Sequence, residues 1–392
     1  MLRRLFFPFE TTIVTQQETW RALAGRLRAE VLEPIKQRLI GKDEIVEVLG
    51  VALTAGENAF LLGPPGTGKS ALVQELGQRL DGRTFDYLLT RFTEPSELFG
   101  PFDLRRLRDG DLVTNTEGML PEADFVFLDE LLNANSAILN SLLLALNERV
   151  FRRGRQTLAL PMLLTVGASN RLPEDDALAA LFDRFLLRVV CDNVEDQRLS
   201  EVLAAGWTRE QQELPPASLH VDDIRQLRQA VTAVDLTTVL PAYQELVLRL
   251  RQAGMAISDR RAVRLQRVIA ASAVICGRVA AELSDLWIVR YVWDTPPQQE
   301  VLIAHVEAVT QQFQEKLPAD GPAHPLANLS QPPSAEQLQQ QLQEIEADIQ
   351  STESRAVGLD KLGLLTARIE WVREAEARTH LRSQVTRLRE LL

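Results

Sequence analysis

The sequence predicts an α/β fold with a parallel sheet, followed by an all-helical domain and a C-terminal helical bundle. Five apolar runs of strand length alternate with helix-like stretches, which is the pattern of a parallel sheet covered on both faces. Beyond residue 193 the strand pattern ends and helical periodicity remains. The five predicted strands lie at residues 59–62, 85–89, 125–128, 163–168 and 185–190.

Breaks in composition divide the 392-residue chain into four segments. A chain of this length can form two or three domains with cores of their own. Pro-Pro pairs at 296–297 and 332–333 interrupt the helical part, because proline ends or kinks helices. The predicted segments are an N-terminal segment, 1–17, the α/β core, 18–193, the helical domain, 194–295, and the C-terminal bundle, 296–392, with a linker at 317–333.

Apolar residues at helical spacing identify the main helices. Two helices are predicted before the first strand, one at about 17–39 and one carrying Val46, Leu49 and Leu53. The C-terminal bundle is expected to contain three amphipathic helices, the last beginning near residue 359. The apolar seams of the last two are Leu338, Leu342, Ile345 and Ile349, and Leu362, Leu365, Ile369 and Val372.

Two hairpins are predicted to project from the core. The first lies within residues 104–122, where an Asp109-Gly110 turn is flanked by short alternating segments. The second spans residues 150–162. Both carry arginines that would suit contact with a nucleic acid strand. These are Arg105, Arg106, Arg108, Arg152, Arg153 and Arg155.

The charge balance argues against a chain that mainly coats nucleic acid. Acidic residues number 54 against 43 basic ones, a net charge of −11, whereas binding to the phosphate backbone needs excess cations. Cys191 and Cys276 are far apart, so we expect buried, reduced thiols and a cytoplasmic location. The four histidines are scattered and predict no metal site. No apolar run reaches the roughly 18 residues of a membrane span.

An eight-residue segment fills every position of the pattern G-x-x-x-x-G-K-[ST], directly after the first predicted strand. Its glycines allow successive backbone N–H groups to converge on a phosphate, Lys69 neutralises phosphate charge, and the Ser70 hydroxyl can ligate Mg²⁺. Helical spacing follows, and a helix N-terminus favours anions. The segment predicts a nucleoside triphosphate site formed by Gly63, Pro64, Pro65, Gly66, Thr67, Gly68, Lys69 and Ser70.

Two acids end the third predicted strand. Asp129 and Glu130 directly follow the apolar residues 125–128. Asp129 would hold Mg²⁺ through its water shell, and Glu130 would polarise the water that attacks the γ-phosphate. An Asp-Glu pair at a strand end can also be a helix N-cap, so this assignment depends on the phosphate loop.

Two further polar residues are candidates for the same reaction. Asn170 follows the strand at 163–168, and ligands bind at the carboxyl edge of parallel sheets, so its amide could orient the attacking water. Capping of the next turn is the alternative. Arg184 lies between apolar residues before the last strand. It is either a surface arginine or, in an oligomer, a group that reaches a neighbouring subunit's γ-phosphate.

Four motifs occur in an order that resembles the AAA+ ATPases. They are the phosphate loop, the Asp129-Glu130 pair, Asn170 and the segment Asp183-Arg184-Phe185. The hairpin at about 104–122 resembles the insert of the MoxR branch, and other segments resemble its RavA subgroup. The likeness covers roughly residues 18–293 and includes motifs from both the α/β core and the helical domain. The RavA-like segments are Leu128–Asn140, Asn147–Arg152 and Ile257–Arg261.

The resemblance implies an AAA+ P-loop core, an all-α lid domain and a C-terminal helical bundle. It also implies a homo-oligomeric ring, usually a hexamer, with ATP and Mg²⁺ between subunits. Arg260 would then be the lid arginine that senses the γ-phosphate. MoxR-type ATPases commonly act with a von Willebrand factor A protein. RavA carries a β-rich partner-binding domain where this chain has only the linker 317–333, so the RavA partner enzyme is not transferred.

The sequence thus predicts a MoxR/RavA-like AAA+ ATPase that hydrolyses ATP at subunit interfaces to remodel or mature a protein client. Three alternatives stay open. A metal chelatase motor shares the layout and would associate with porphyrin-handling partners. A DNA-engaging motor is favoured by the hairpin arginines and would bind DNA in a salt-dependent way. A nucleotide-binding scaffold without turnover is disfavoured by Glu130.

Overall fold

The computed structural model describes residues 19–391 with several gaps. Outside the description are residues 104, 107–112, 154–155, 195, 213–216, 315–322 and most of 329–374, where only 338, 339, 342, 343, 345, 346, 362 and 369 are placed. The chain forms two compact units. The first comprises the described residues up to Thr238 together with Asp259–Ala281, and the second comprises Val239–Ser258 and the described residues from Glu282 onward.

Two helices precede the sheet, as predicted. Helix α1 spans residues 19–38 and contains a π-helical segment, Leu27–Leu32. Helix α2, Asp43–Ala55, is almost entirely buried. It ends at Gly56, whose φ of 73° is the left-handed conformation that closes many helices.

The central sheet of the first unit confirms the five predicted strands and their parallel arrangement. Its order is β2-β3-β6-β1-β7, and all four pairings are parallel. The inner strands are mostly apolar and buried because helices cover both faces. The strands are β1 (Ala59–Leu62), β2 (Thr84–Leu88), β3 (Phe125–Asp129), β6 (Leu164–Ser169) and β7 (Leu187–Val190).

The helices of the first unit connect these strands and cover the sheet. Helix α2 packs against the last helix of this unit, Asp259–Ile275, and both contact the helix Val221–Val231. The remaining helices are α3 (Lys69–Arg79), α4 (Pro95–Phe99), α5 (Ser136–Glu148), α6 (Asp176–Phe182), α7 (Leu199–Gln211), α8 (Val221–Val231) and α10 (Asp259–Ile275).

The second predicted hairpin is confirmed. Strands β4 (Val150–Arg153) and β5 (Gln156–Ala159) pair antiparallel, and the two residues between them lie outside the described chain. The Phe151 ring stacks on Phe99, with centroids 5.1 Å apart. The hairpin is therefore attached to the core through an aromatic contact as well as through the chain.

The first predicted hairpin is described only at its base. Phe102 and Thr114 form an antiparallel bridge, and the amide of Thr114 donates to the Gln156 side chain at 3.0 Å. Arg105 and Arg106 are helical and exposed. The predicted turn at 109–110 and Arg108 lie outside the described residues.

The second unit is helical. It contains α9 (Leu240–Gln252), a 3₁₀ segment Leu283–Tyr291, α11 (Pro297–Gln314), a 3₁₀ segment Pro325–Asn328 and α12 (Ala375–Leu391). Helix α11 packs against α9 and against Leu283–Tyr291. None of the described helices is both long and apolar enough to cross a membrane.

A separate apolar cluster joins residues of both predicted C-terminal seams to α12. Ile349, Leu365 and Val372 of those seams lie outside the described chain. The predicted domain boundaries at 193/194 and 295/296 stay predictions. The cluster consists of Leu338, Leu342, Ile345, Leu362, Ile369, Leu381, Val385 and Leu388.

Candidate nucleotide-binding site

The predicted phosphate loop connects the carboxyl end of β1 to the N-terminus of α3. The amide of Gly63 donates to the Ser169 carbonyl of the neighbouring strand at 3.0 Å, which extends the β1–β6 ladder into the loop. Gly66 and Gly68 have φ of 82° and 85°, a region that residues with a β-carbon rarely adopt. Pro64, Pro65 and Gly66 are exposed at the tip.

The side chains of the loop are held by its own carbonyl groups. The Lys69 ammonium donates to the carbonyl oxygens of Gly63 at 3.0 Å and Pro64 at 2.7 Å. The Thr67 hydroxyl donates to the same Pro64 carbonyl at 3.0 Å. Lys69 is buried, so its charge lies inside the loop rather than in solvent.

The loop fits a nucleotide's phosphate chain. No side chain caps the N-terminus of α3, so its first amides are available to an anion, which the helix dipole also favours. Lys69 adds a positive charge beside them. A phosphate group would therefore be bound by backbone amides and by one ammonium.

The two predicted acids lie at the end of β3. Asp129 is the last residue of the strand, and its Oδ1 accepts the amide of Glu130 at 2.9 Å. Glu130 has a left-handed backbone with φ of 49°, which is uncommon for a residue with a side chain and is found at functional sites. Both side chains are half-buried. The Asp129 carboxylate and the Ser70 hydroxyl are oxygen donors of the kind that Mg²⁺ binds.

Sheet order brings the loop, the acids and Asn170 to one edge. Strand β6 lies between β1 and β3, so the residues that follow these three strands meet at the carboxyl edge of the sheet. Neighbouring strands are about 4.8 Å apart. Asn170 is exposed directly after β6, between the phosphate loop and the acids. The predicted grouping at this edge agrees with the strand order.

Arg184 lies at the opposite edge. Its carbonyl oxygen accepts a hydrogen bond from the Asn58 side chain at 3.2 Å, and Asn58 immediately precedes β1. Gly63 follows β1, about 16 Å farther along at about 3.3 Å per residue. The structure therefore does not bring Arg184 to the phosphate loop of its own chain.

Arg260 lies on the helix whose Arg264 contacts the Arg184 carbonyl. It is exposed in the first turn of α10, and no described residue forms an ion pair with it. Arg264, one helical turn later, pairs with Glu57, and its Nη2 lies 3.5 Å from the Arg184 carbonyl oxygen. Arg260 therefore lies one helical turn before a residue that contacts Arg184.

A partly buried cluster of arginines joins α2, α8 and α10 near the amino edge of the sheet. Arg228 donates to the carbonyls of Leu53, at 3.0 Å, and Leu163. Burial, and then the neighbouring Arg149, Arg267 and Arg225, lowers the pKa of Arg228 to about 9. Burial likewise lowers the pKa of Arg149. These guanidinium groups contact the carboxyl end of α2, where a helix dipole favours cations.

Four residues that connect these elements were not predicted from the sequence. Asn58 and Arg264 bind the Arg184 carbonyl, and Arg171 joins the end of β6 to the segment after β3 through Asn133 at 2.9 Å. The Asn135 side chain caps α5 and holds the loop after β2 through the Thr93 carbonyl at 2.7 Å. A polar residue directly before a buried strand is a signal that could have indicated Asn58.

The hairpin arginines that favoured a DNA motor are partly engaged within the protein. The Arg153 guanidinium donates to the Gly100 carbonyl at 2.8 Å and lies 3.8 Å from the centroid of the Phe102 ring. Arg152 pairs with Glu148 at 2.8 Å. Arg108 and Arg155 lie outside the described residues. Arg153 therefore has a structural role in joining the bases of the two hairpins.

Comparisons with known protein families agree with the parallel sheet and the phosphate loop described above. A family model described as the MoxR domain in the MoxR–vWA–β-propeller ternary systems matches residues 25–229, and a model of an AAA lid domain matches residues 221–306. Two uncharacterised proteins of Methanocaldococcus jannaschii are similar. One is 31% identical over 74% of this chain and 76% of its own length, and the other is 34% identical over 68% and 73%.

Two more distant proteins are also similar. Chaperone MoxR1 of Mycobacterium tuberculosis is 28% identical over 40% of this chain and 41% of its own length. The crystal structure of a candidate ATPase from Cytophaga hutchinsonii superposes with a TM-score of 0.60 at 19% identity, covering 70% of this chain and 87% of that one. At that identity the likeness shows the fold alone.

The parallel sheet, the phosphate loop at its carboxyl edge and the helical elements define an AAA+ ATPase fold, which confirms the predicted fold class. Within this class, the chain belongs to the MoxR family. The RavA subgroup stays a prediction.

Proposed function

We propose that this protein is a subunit of an ATP-hydrolysing ring that remodels or matures a protein client. The observation that carries the proposal is the separation of the site residues. Lys69, Glu130 and Asn170 follow strands at the carboxyl edge of the sheet, whereas Arg184 lies at the amino edge beside Asn58. In this proposal each chain would supply the phosphate loop to one site and Arg184 to another, so that a second copy completes each site.

At the carboxyl edge, the roles follow from charge and position. Lys69 and the first amides of α3 would bind the phosphates of ATP, and Ser70 and Asp129 would hold Mg²⁺. Bound Mg²⁺ supplies positive charge that offsets the charge of the phosphates. Glu130 would accept a proton from the attacking water, and Asn170 would orient that water.

At the amino edge, Arg184 would stabilise the charge on the γ-phosphate of a neighbouring subunit. Its Nε atom is buried and has no hydrogen-bond partner among the described residues. Its Nη1 lies 3.7 Å from Asp183, whose side chain is 58% exposed, and such ion pairs are weak. The guanidinium is thus not committed to a strong local partner. Arg260 would be the lid arginine that senses the γ-phosphate.

For the partner, we propose a von Willebrand factor A domain protein. The support is the matched family, which is described from systems that combine MoxR, vWA and β-propeller components. A hexameric ring, a RavA-type subgroup and a cytoplasmic location are further parts of the proposal that rest on family resemblance.

Mixed rings test the shared site. Arg184→Ala and Lys69→Ala should each be nearly inactive alone, the first while still binding ATP. When subunits are mixed and exchange is verified, some interfaces combine an intact phosphate loop with an intact Arg184. Partial recovery of phosphate release supports the proposal. Absence of recovery at every mixing ratio, or a wild-type rate for Arg184→Ala alone, contradicts it.

Affinity purification of Glu130→Gln protein in ATP tests the partner, because blocked hydrolysis should hold the assembly together. Recovery of a von Willebrand factor A protein is expected. Recovery of porphyrin-handling subunits instead would indicate a chelatase motor.

A further inference from the structure

The carbonyl oxygen of Arg184 accepts two side-chain hydrogen bonds from distant parts of the chain. Asn58 Nδ2 donates at 3.2 Å and Arg264 Nη2 at 3.5 Å. Asn58 precedes β1 and Arg264 lies in α10. The backbone at Arg184 is therefore fixed to the strand that leads into the phosphate loop and to the helix that carries Arg260.

The residues around Arg184 are also held. The Phe60 ring of β1 packs edge-on against Phe182 and Phe185, with centroid distances of 4.9 and 5.8 Å. Arg188, which is buried, donates to the carbonyls of Phe182 at 3.2 Å and Phe185 at 3.0 Å. The segment 182–185 is thus bound through side chains and through its backbone.

The oxygen and the nitrogen of the Asn58 side-chain amide both form hydrogen bonds. Arg149 Nη2 donates to its Oδ1 at 2.9 Å, which directs its Nδ2 toward Arg184, and the side chain is buried. An amide is the group that can accept from a guanidinium and donate to a carbonyl at once. Aspartate would keep the first bond and lose the second.

Arg264 is oriented by an acid. Glu57 accepts from its Nε at 3.1 Å and from its Nη2, and the Glu57 side chain is 11% exposed. A planar guanidinium held in this way presents its remaining N–H groups in fixed directions. One of these directions leads to the Arg184 carbonyl.

We propose that Asn58 and Arg264 are positioning residues for Arg184, fixing its backbone so that the guanidinium is presented to a neighbouring subunit's γ-phosphate. This inference rests on the proposed function. A displacement of about 1 Å in a catalytic group can lower a rate by about 100-fold. Two hydrogen bonds that fix the Arg184 backbone should therefore affect the rate of ATP hydrolysis. The two residues are not expected to contact nucleotide.

The first test uses protein without nucleotide. In Asn58→Asp, hydrogen exchange of the segment 183–187 should be at least about tenfold faster than in the wild type, while exchange of α3 is unchanged. Arg264→Lys keeps a positive charge beside Glu57, and it should also speed hydrogen exchange of the segment 183–187. Arg225→Ala, which removes a pair with Asp124 at 3.1 Å, is the control. Unchanged exchange at 183–187 in both variants overturns the inference.

The second test asks whether Asn58→Asp impairs the phosphate loop or the presentation of Arg184. Asn58→Asp should bind ATP within about twofold of the wild type and lose about 10- to 100-fold in turnover. Mixed with Lys69→Ala, it should recover activity, because its own phosphate loop meets an intact Arg184. Mixed with Arg184→Ala, it should not recover, because neither subunit presents a well-placed arginine.

The outcomes separate the two proposals. Recovery with Arg184→Ala, without recovery with Lys69→Ala, would place the defect at the phosphate loop and overturn the positioning role. Wild-type turnover of Asn58→Asp would overturn it as well. If the Arg184→Ala and Lys69→Ala pair fails to recover in the same experiment, the shared site itself is wrong, and the positioning role is rejected with it.

Discussion

A β-carbon on Gly63 would lie 2.1 Å from the carbonyl oxygen of Cys191. The two residues follow the adjacent strands β1 and β7, and the amide of Cys191 donates to the Leu62 carbonyl at 2.7 Å. The start of the phosphate loop is therefore packed directly against the backbone after β7. Only glycine fits this approach without displacing main chain.

Gly63→Ala should consequently distort the phosphate loop. We expect a loss of about 2 kcal/mol in the free energy of unfolding and at least about tenfold weaker ATP binding, measured by thermal unfolding and by titration with a fluorescent ATP analogue. Gly206→Ala is the matched control, since nothing lies within 4 Å of its β-carbon position and alanine favours helix. Equal ATP affinity in both variants would contradict the tight-packing argument.

Shortening the chain tests how the second unit is stabilised. Helix α11 buries Val301, Leu302, Val306 and Val309 and packs against Leu283–Tyr291. A chain ending after Thr295 loses this packing, whereas one ending after Gln314 keeps it. We expect the shorter chain to unfold about 5 °C or more lower.

Both shortened chains should still bind ATP, because the described phosphate loop lies in the first unit. Equilibrium binding alongside thermal unfolding measures both properties. A shorter chain that is folded yet unable to bind nucleotide would show that the C-terminal helices take part in the site.

His305 should make the stability of the second unit depend on pH. Burial, and then the nearby Arg249 guanidinium, lowers the pKa of His305 from its ordinary value of 6.5. The unfolded chain therefore binds the proton at higher pH than the folded chain, and stability present above pH 6.5 is lost as pH falls toward the folded-state pKa.

Replacement of His305 by Gln should flatten this dependence. Between pH 7 and pH 5, the unfolding temperature should fall less for His305→Gln than for the wild type. His380→Gln serves as control, because the His380 side chain is exposed and contacts Gln384 on the same helix. A pH profile of His305→Gln that matches the wild type would show that His305 is not responsible.

Local patterns were sufficient to predict the sheet and the carboxyl-edge residues. Strands β1, β3 and β6 are short, mostly apolar runs because helices bury both of their faces, and that pattern is visible in sequence. The phosphate loop is contiguous, so its spacing alone identifies it. Asp129 and Asn170 follow predicted strands, and the carboxyl ends of parallel strands share one edge.

The arrangement at the amino edge could not be predicted in the same way. The Asn58–Arg184 bond joins residues 126 positions apart, and it depends on β7 lying beside β1. The Glu57–Arg264 pair spans 207 positions. Neither partner belongs to a local motif, so only the completed fold brings them together. The role of the hairpin arginines could not be predicted from local sequence either. The fold brings Arg153 to the Gly100 carbonyl and the Phe102 ring, so its guanidinium is engaged within the protein.

Lys69 is proposed to bind ATP and Glu130 to activate the attacking water, and one paired measurement tests both roles most directly. ATP binding and phosphate release should be followed together for the wild type, Lys69→Ala and Glu130→Gln. Lys69→Ala should bind ATP about 10- to 100-fold more weakly, since a charged hydrogen bond is lost. Glu130→Gln should bind ATP as the wild type does and release phosphate at least about 100-fold more slowly. Phosphate release at the wild-type rate by Glu130→Gln would contradict the account.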